Sequence, residues 1–254
     1  MLDYQAKKDL LQHKIILVTG AGDGIGRAAA ISYANHGATV ILLGRTQAKL
    51  EAVYDEIMAR NAPEPVIMPL DLATATENDY QHMARLVTLQ FGHLDGLLHN
   101  AGLLGSLMPL EQLPIATLEQ LLQVNVVAQL ALTQALLPVL RQAPAASIIF
   151  TSSSVGRKGR AYWGAYAISK FATEGMMQVL ADECDGSSVR CNSLNPGATR
   201  TAMRAEAFPA EDPLTLKTPE QLMPLYLYLM GDDSRHENAQ AFSAQPKRPA
   251  SHLS

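Results

Sequence analysis

A short apolar run at residues 14–18 (KIILV) passes directly into TGAGDGIG and then into RAAAISYANHG. The branched run reads as a buried strand and the alanine-rich segment as a helix. A strand that turns through glycines into a helix is the setting in which a dinucleotide pyrophosphate is bound. Gly20 permits the tight turn, Gly24 lets the backbone approach the phosphates, and Gly26 allows the helix to pack closely. The first N–H groups of that helix would face the anion.

The second strand is expected at residues 38–44 (ATVILLG), and Arg45 follows it where such folds read the adenosine ribose. No Asp or Glu occurs between Gly26 and Glu51, so the carboxylate that would accept from a free 2'-hydroxyl is missing. Arg45 can instead grip a 2'-phosphate through a charge-assisted fork, which favours NADP(H) over NAD(H). The alternation then continues, with helices at 47–60, 77–91 and 117–137 and strands at 66–70, 94–100 and 147–151. A further strand is expected at 189–196. This pattern predicts an α/β fold, a doubly wound parallel sheet of about seven strands with helices on both faces. Nothing divides the 254 residues, so 1–254 reads as a single domain with an N-terminal extension (1–13) and a polar tail (245–254).

A net charge of −4 suggests neither nucleic acid nor an anionic membrane as partner. The N-terminus lacks an apolar signal core and no run reaches the 18 or so apolar residues of a membrane span, so a cytoplasmic protein is expected. Cys184 and Cys191 have no metal-ligand spacing and read as reduced structural thiols, and no metal site is expected.

The stretch at 151–170, TSSSVGRKGRAYWGAYAISK, carries the chemistry. Tyr166 and Lys170 stand one helical turn apart on one face. An ammonium about 4 Å from a phenol, at an effective dielectric near 20, is worth roughly 4 kcal/mol. That would bring a tyrosine of ordinary pKa about 10 toward neutrality, where proton transfer is most effective. Ser153 closes a strand and could hold a carbonyl oxygen against Tyr166.

Together these residues resemble the short-chain dehydrogenase/reductase superfamily over nearly the whole chain. The likeness rests on TGAGDGIG at 19–26, Asp71-Leu72, Asn100-Ala101-Gly102, Asn125, Ser153, the Tyr166–Lys170 pair and Pro196-Gly197 with Thr201. The ending LMGDDSR further resembles a small bacterial group of YciK-like oxidoreductases. The resemblance implies a catalytic set of Asn125, Ser153, Tyr166 and Lys170. Tyr166 would exchange a proton with the substrate oxygen, Ser153 would polarise that oxygen, and Lys170 would bind the nicotinamide ribose. Asn125 would hold a water that relays protons from Lys170. The implied cofactor residues are Thr19, Gly20, Gly22, Asp23, Gly24, Ile25, Gly26, Arg45, Thr46, Asp71, Leu72, Asn100, Ala101, Gly102, Tyr166, Lys170, Pro196, Gly197, Thr199 and Thr201. Two features depart from the pattern. His99 replaces a frequent Asn, and no glycine follows Gly231, which leaves a last strand at 239–244 in question.

Substrate contacts are expected from Ser153, Tyr166, Trp163 and Met203, with Tyr162 and Phe208 as further apolar walls. Arg157, Lys158 and Arg160 read as a solvated rim, with recognition of a carboxylate, a phosphate or an acidic carrier protein as the alternative. The proline-rich segment within 198–217 reads as a lid, and the long helices at 117–137 and 162–183 imply, by the same resemblance, a homodimer or homotetramer. The expected activity is NADP(H)-dependent oxidoreduction of a small carbonyl or secondary alcohol. The alternatives are an NAD(H) enzyme or an idle nucleotide-sensing protein of the same fold.

Overall fold

The run Ile15–Thr19 forms β1, and all five of its residues are buried. In the computed structural model, which describes residues 3–245, β1 lies inside a sheet with β2 (Thr39–Gly44), β3 (Val66–Pro69), β4 (Gly96–His99), β5 (Ala146–Thr151), β6 (Val189–Asn195) and β7 (Ala241–Ser243). The order is β3-β2-β1-β4-β5-β6-β7, and every pairing is parallel. The helices are α1 (Gly24–Asn35), α2 (Gln47–Ala59), α3 (Glu77–Phe91), α4 (Ile115–Leu122), α5 (Ala128–Leu140), α6 (Gly164–Glu183), α7 (Ala202–Ala207) and α8 (Met223–Met230).

Successive strand residues face opposite sides of the sheet, and both sides are apolar. Ile15, Leu17, Ile41, Leu43, Leu97, Ile148 and Phe150 pack with α3, α5 and α6, through Tyr80, Met83, Leu132, Leu136, Met177 and Leu180. The alternate residues Ile16, Val18, Val40, Leu42, Leu98 and Ile149 pack with α1, α2 and α8, through Tyr33, Leu50, Val53, Leu225 and Tyr226. The doubly wound fold is therefore present as expected. Helix ends follow local chemistry. Thr76 and Asp79 form a capping box on α3, and Gly92 ends it in the left-handed region (φ 77°).

Four details differ from the sequence reading. The expected helix at 117–137 is α4, a widened π turn at Gln123–Val127, and α5. Ile115–Leu140 is long and apolar enough to cross a membrane, with a mean hydropathy of 1.4 over its most apolar 18 residues, contrary to the expectation that no such run exists. Here it is a core helix, half buried, which packs on α3 and carries Asn125. The N-terminal extension is part of the body of the fold. Leu11 is wholly buried, its N–H donates to the His36 carbonyl, and Tyr4 donates to Asp233 at 2.7 Å. The doubted last strand exists as β7, paired with β6 without any glycine, although only Gln245 of the expected tail lies among the described residues.

Candidate active site

Strand order reverses between β1 and β4, and ligands in open parallel sheets bind outside the carboxyl ends of the strands at such a point. A cavity of about 1600 Å³ lies at that edge. It exceeds the roughly 300–1,000 Å³ of a pocket for one drug-sized ligand. The turn after β1 opens it. Gly20 and Gly24 take positive φ (67° and 52°), and Asp23 caps α1 by accepting from the Gly24 N–H at 2.7 Å. A Cβ on Gly26 would press on the Gly20 carbonyl and lie 2.6 Å from the Asn100 amide, so the third glycine lets α1 sit against the turn.

Gly20, Gly22, Asp23, Gly24, Ile25, Arg45, Thr46, Asp71, Leu72, Asn100, Ala101, Gly102, Pro196, Gly197, Thr199 and Thr201 all line the cavity, as do Ser153, Trp163, Tyr166, Lys170 and Met203. Three of the predicted catalytic and cofactor residues do not. Gly26 is buried under the turn. Thr19 is 1% exposed, and its hydroxyl accepts from the Asn100 and Ala101 N–H groups at 2.9 and 3.0 Å. It braces the turn after β4 from behind. Asn125 is wholly buried, with its carbonyl accepting from the Leu103 N–H (2.8 Å) and its amide donating to the Leu103 carbonyl (2.9 Å) and Ser169 Oγ (3.0 Å). The π turn lets Asn125 reach across to Leu103 and fix that wall.

Ser153, Tyr166 and Lys170 meet where β5 ends and α6 begins. The Lys170 Nζ donates to the Thr151 carbonyl at 2.8 Å and lies 5.6 Å from the Tyr166 ring centre. The electrostatics run opposite to the sequence expectation for Tyr166. Burial pushes its phenol up to about 12, and the Ser153 hydrogen bond only partly offsets this. Burial also brings the Lys170 ammonium down to about 8, against the pull of the Glu174 carboxylate. The Lys170 ammonium is bonded to the Thr151 carbonyl, and burial is the dominant influence on the phenol.

The basic cluster separates into different roles. Arg157 donates through Nε to Glu174 (2.8 Å) and through its other nitrogens to Ser193 Oγ (3.2 Å), the Phe242 carbonyl (2.9 Å) and Ser243 Oγ (3.0 Å). It fastens β7 to the sheet and is not free to bind a substrate. Arg160 lies 5.8 Å over both the Trp163 and Phe208 rings, and Lys158 is exposed on the cavity wall. Tyr162 is 62% exposed and away from the cavity, while Phe208 backs Trp163 at 5.8 Å between ring centres. The segment at 198–217 is folded onto itself. The Arg200 N–H donates to the Lys217 carbonyl at 2.8 Å, and Arg204 pairs with Glu211 at 2.6 Å.

His99 takes no part in the cleft. Its ring stacks on Phe150 at 4.8 Å, and Nε2 lies 2.8 Å from the Thr133 oxygen. That hydroxyl donates to the Gln129 carbonyl, so it accepts from His99, and the proton sits on Nε2. The sequence reading missed Lys49, which lines the cavity beside Arg45, and Gln245, whose amide donates to the Pro196 and Ala198 carbonyls at 2.9 and 2.8 Å. No sequence spacing marks either one.

This arrangement of glycine turn, parallel-sheet edge and Ser153, Tyr166 and Lys170 defines a nucleotide-dependent oxidoreductase. The short chain dehydrogenase family model matches residues 14–212, and the chain belongs to that family. It is 57% identical over 247 residues to the uncharacterized oxidoreductase YciK of Escherichia coli K12, covering 97% of this chain and 98% of that protein. Two solved short-chain dehydrogenases share its structure at 57% identity. One, from Shigella flexneri 2a strain 301 in complex with NADP, has a TM-score of 0.92 and covers 94% of this chain and 100% of its own. The other, from Escherichia coli CFT073 in complex with NADPH, has a TM-score of 0.93 and covers 95% and 100%.

Proposed function

We propose that the protein is an NADP(H)-dependent oxidoreductase that interconverts a small or medium carbonyl compound and its secondary alcohol. The observation that carries this reading is the convergence of Ser153, Tyr166 and Lys170 on the cavity that also holds the glycine turn and Arg45. The glycine turn fits a dinucleotide, since side chains at positions 22 and 26 would collide with Lys49 and with Gly20. Relatives solved with NADP and NADPH favour NADP(H) over NAD(H), in line with Arg45 and the lack of a nearby acid.

When bound, NADPH supplies the hydride. This chain's residues manage the oxygen and its proton. Tyr166, with its phenol pushed up to about 12, holds the proton at its oxygen and donates it to the carbonyl oxygen. Ser153, the hydrogen-bond partner of that phenol, orients the same oxygen. Lys170, with an ammonium near 8, is charged at neutral pH and faces Gly102, where a ribose would lie. Asn125 keeps this wall in place, and its neighbourhood would carry the proton relay to solvent. Trp163 and Met203 form the apolar substrate wall, with the Lys158 and Arg160 cations beside it accommodating an anionic group. Exposed apolar residues on α6 (Ile168, Phe171, Val179) and on the Gln123–Leu140 run (Val127, Leu130) suit a homodimer or homotetramer.

The test is NADPH consumption over a panel of ketones, aldehydes and oxo-acids, with Tyr166→Phe alongside. Turnover that falls at least 100-fold in the variant, with NADPH affinity retained, supports the assignment. Equal turnover by the variant overturns it.

A further inference from the structure

Lys49 crosses the glycine turn at its narrowest point. A Cβ built on Gly22 would sit 2.9 Å from the Lys49 Cβ, so only glycine there admits the lysine stem. Its Nζ reaches Asp23 Oδ2 at 2.6 Å, and both side chains are more than half exposed, on the cavity wall next to Arg45. Asp23 is not free to move with it, because its other oxygen caps α1 at Gly24. The aspartate is the fixed partner and the lysine, on a four-carbon stem, the movable one. Arg45 itself has no ion-pair partner among the described residues.

From this geometry we infer that Lys49 is a second cationic ligand of the adenosine 2'-phosphate, acting with Arg45, and that Asp23 is the site it occupies when no phosphate is present. The inference rests on the NADP(H) reading above and adds a selectivity device to it. Lys49 leaves Asp23 only for a group that outcompetes a carboxylate. A dianionic phosphate does so and a ribose hydroxyl does not. NADH therefore meets a closed Asp23–Lys49 pair, and NADPH opens it. The exposure of the pair makes the effect sensitive to salt.

The experiment measures dissociation constants of NADPH, NADH, 2',5'-ADP and 5'-AMP, by nucleotide fluorescence or calorimetry, for wild type, Lys49→Gln, Lys49→Arg and Asp23→Asn. Lys49→Gln is expected to weaken NADPH and 2',5'-ADP about tenfold, as for one exposed hydrogen bond to a charged group. NADH and 5'-AMP should change less than twofold, and Lys49→Arg should restore most of the loss. Asp23→Asn keeps the helix cap and frees the lysine, so it should tighten 2',5'-ADP relative to 5'-AMP. Raising the salt from 50 to 500 mM should shrink the wild-type discrimination. A wild type that binds NADPH no more tightly than NADH overturns the NADP(H) reading and this role with it. A discriminating wild type whose Lys49→Gln variant weakens both nucleotides equally, or neither, overturns the Lys49 role alone.

Discussion

Replacing Arg157 by Met should destabilise the protein far more than loss of a surface charge. The Glu174 carboxylate, 7% exposed, accepts from Ser152 Oγ (2.6 Å), Ser193 Oγ (2.7 Å) and Arg157 Nε (2.8 Å). Without the guanidinium, a buried charge keeps only two hydroxyl donors, and breaking a buried pair from one side costs about 3–5 kcal/mol. Arg157 is itself 28% exposed, so water replaces part of what is lost, and the lower end of that range, about 3 kcal/mol, applies. Its contacts to Phe242 and Ser243 are lost as well, which loosens a strand only three residues long. At roughly 2–4 °C per kcal/mol for a chain of this size, the melting temperature should fall about 6–12 °C. Urea unfolding followed by circular dichroism gives the free energy directly. The double variant Arg157→Met, Glu174→Met should recover much of the loss, because a matched apolar pair leaves no stranded charge. A single-variant loss under about 1 kcal/mol, the range of exposed pairs, or a double variant as weak as the sum of its singles, would refute this reasoning.

Two further perturbations test other parts of the fold. Burial holds the His99 imidazole down at about 3 from an ordinary 6.5, so the folded protein binds fewer protons than the unfolded one between those values. The stability this site contributes is complete above pH 6.5 and is lost as the pH falls toward 3, at about 1.4 kcal/mol per pH unit. His99→Asn should flatten acid unfolding in that window, and an unchanged acid midpoint would count against it. Gly26→Ala puts a methyl group onto the Gly20 carbonyl and the Asn100 amide, and overpacking of this kind typically costs about 1–3 kcal/mol. The variant should lose NADPH affinity at least tenfold along with stability, whereas unaltered binding would show that the turn has room to spare.

The sheet was legible because its signals are local. Each buried strand is an unbroken apolar run, and the turn after β1 shows itself within eight residues. The site residues at strand ends follow from the parallel sheet itself. What stayed hidden depends on distant partners. Arg157 reads as a rim charge until its contacts 17, 36 and 85 residues away are in place. Lys49 meets Asp23 across 26 residues. β7 falls inside the expected 239–244, but its place in the sheet rests on backbone pairing to β6 and not on the glycines whose lack had put it in question. The π turn at Gln123–Val127 goes with the hydrogen bonds of Asn125 to Leu103, and helical periodicity carries no trace of it.

The Tyr166–Lys170 pair shows how far spacing alone reaches. Four residues along a helix brought both groups to one face, but the balance of charge and burial depends on where each polar atom points. The lysine nitrogen is bonded to Thr151, and both groups lie almost wholly inside the protein. Burial penalises whichever form is charged, so the phenol is held protonated and the ammonium is loosened. Glu174, one turn further along α6, opposes only the second effect. At neutral pH the site therefore stands as a neutral phenol beside an ammonium, the protonation state that the proposed proton transfer from Tyr166 to a carbonyl oxygen needs. An ammonium turned from Thr151 toward the phenolic oxygen would lower the phenol. The Thr151 carbonyl, at the end of β5, thus competes with Tyr166 for the lysine.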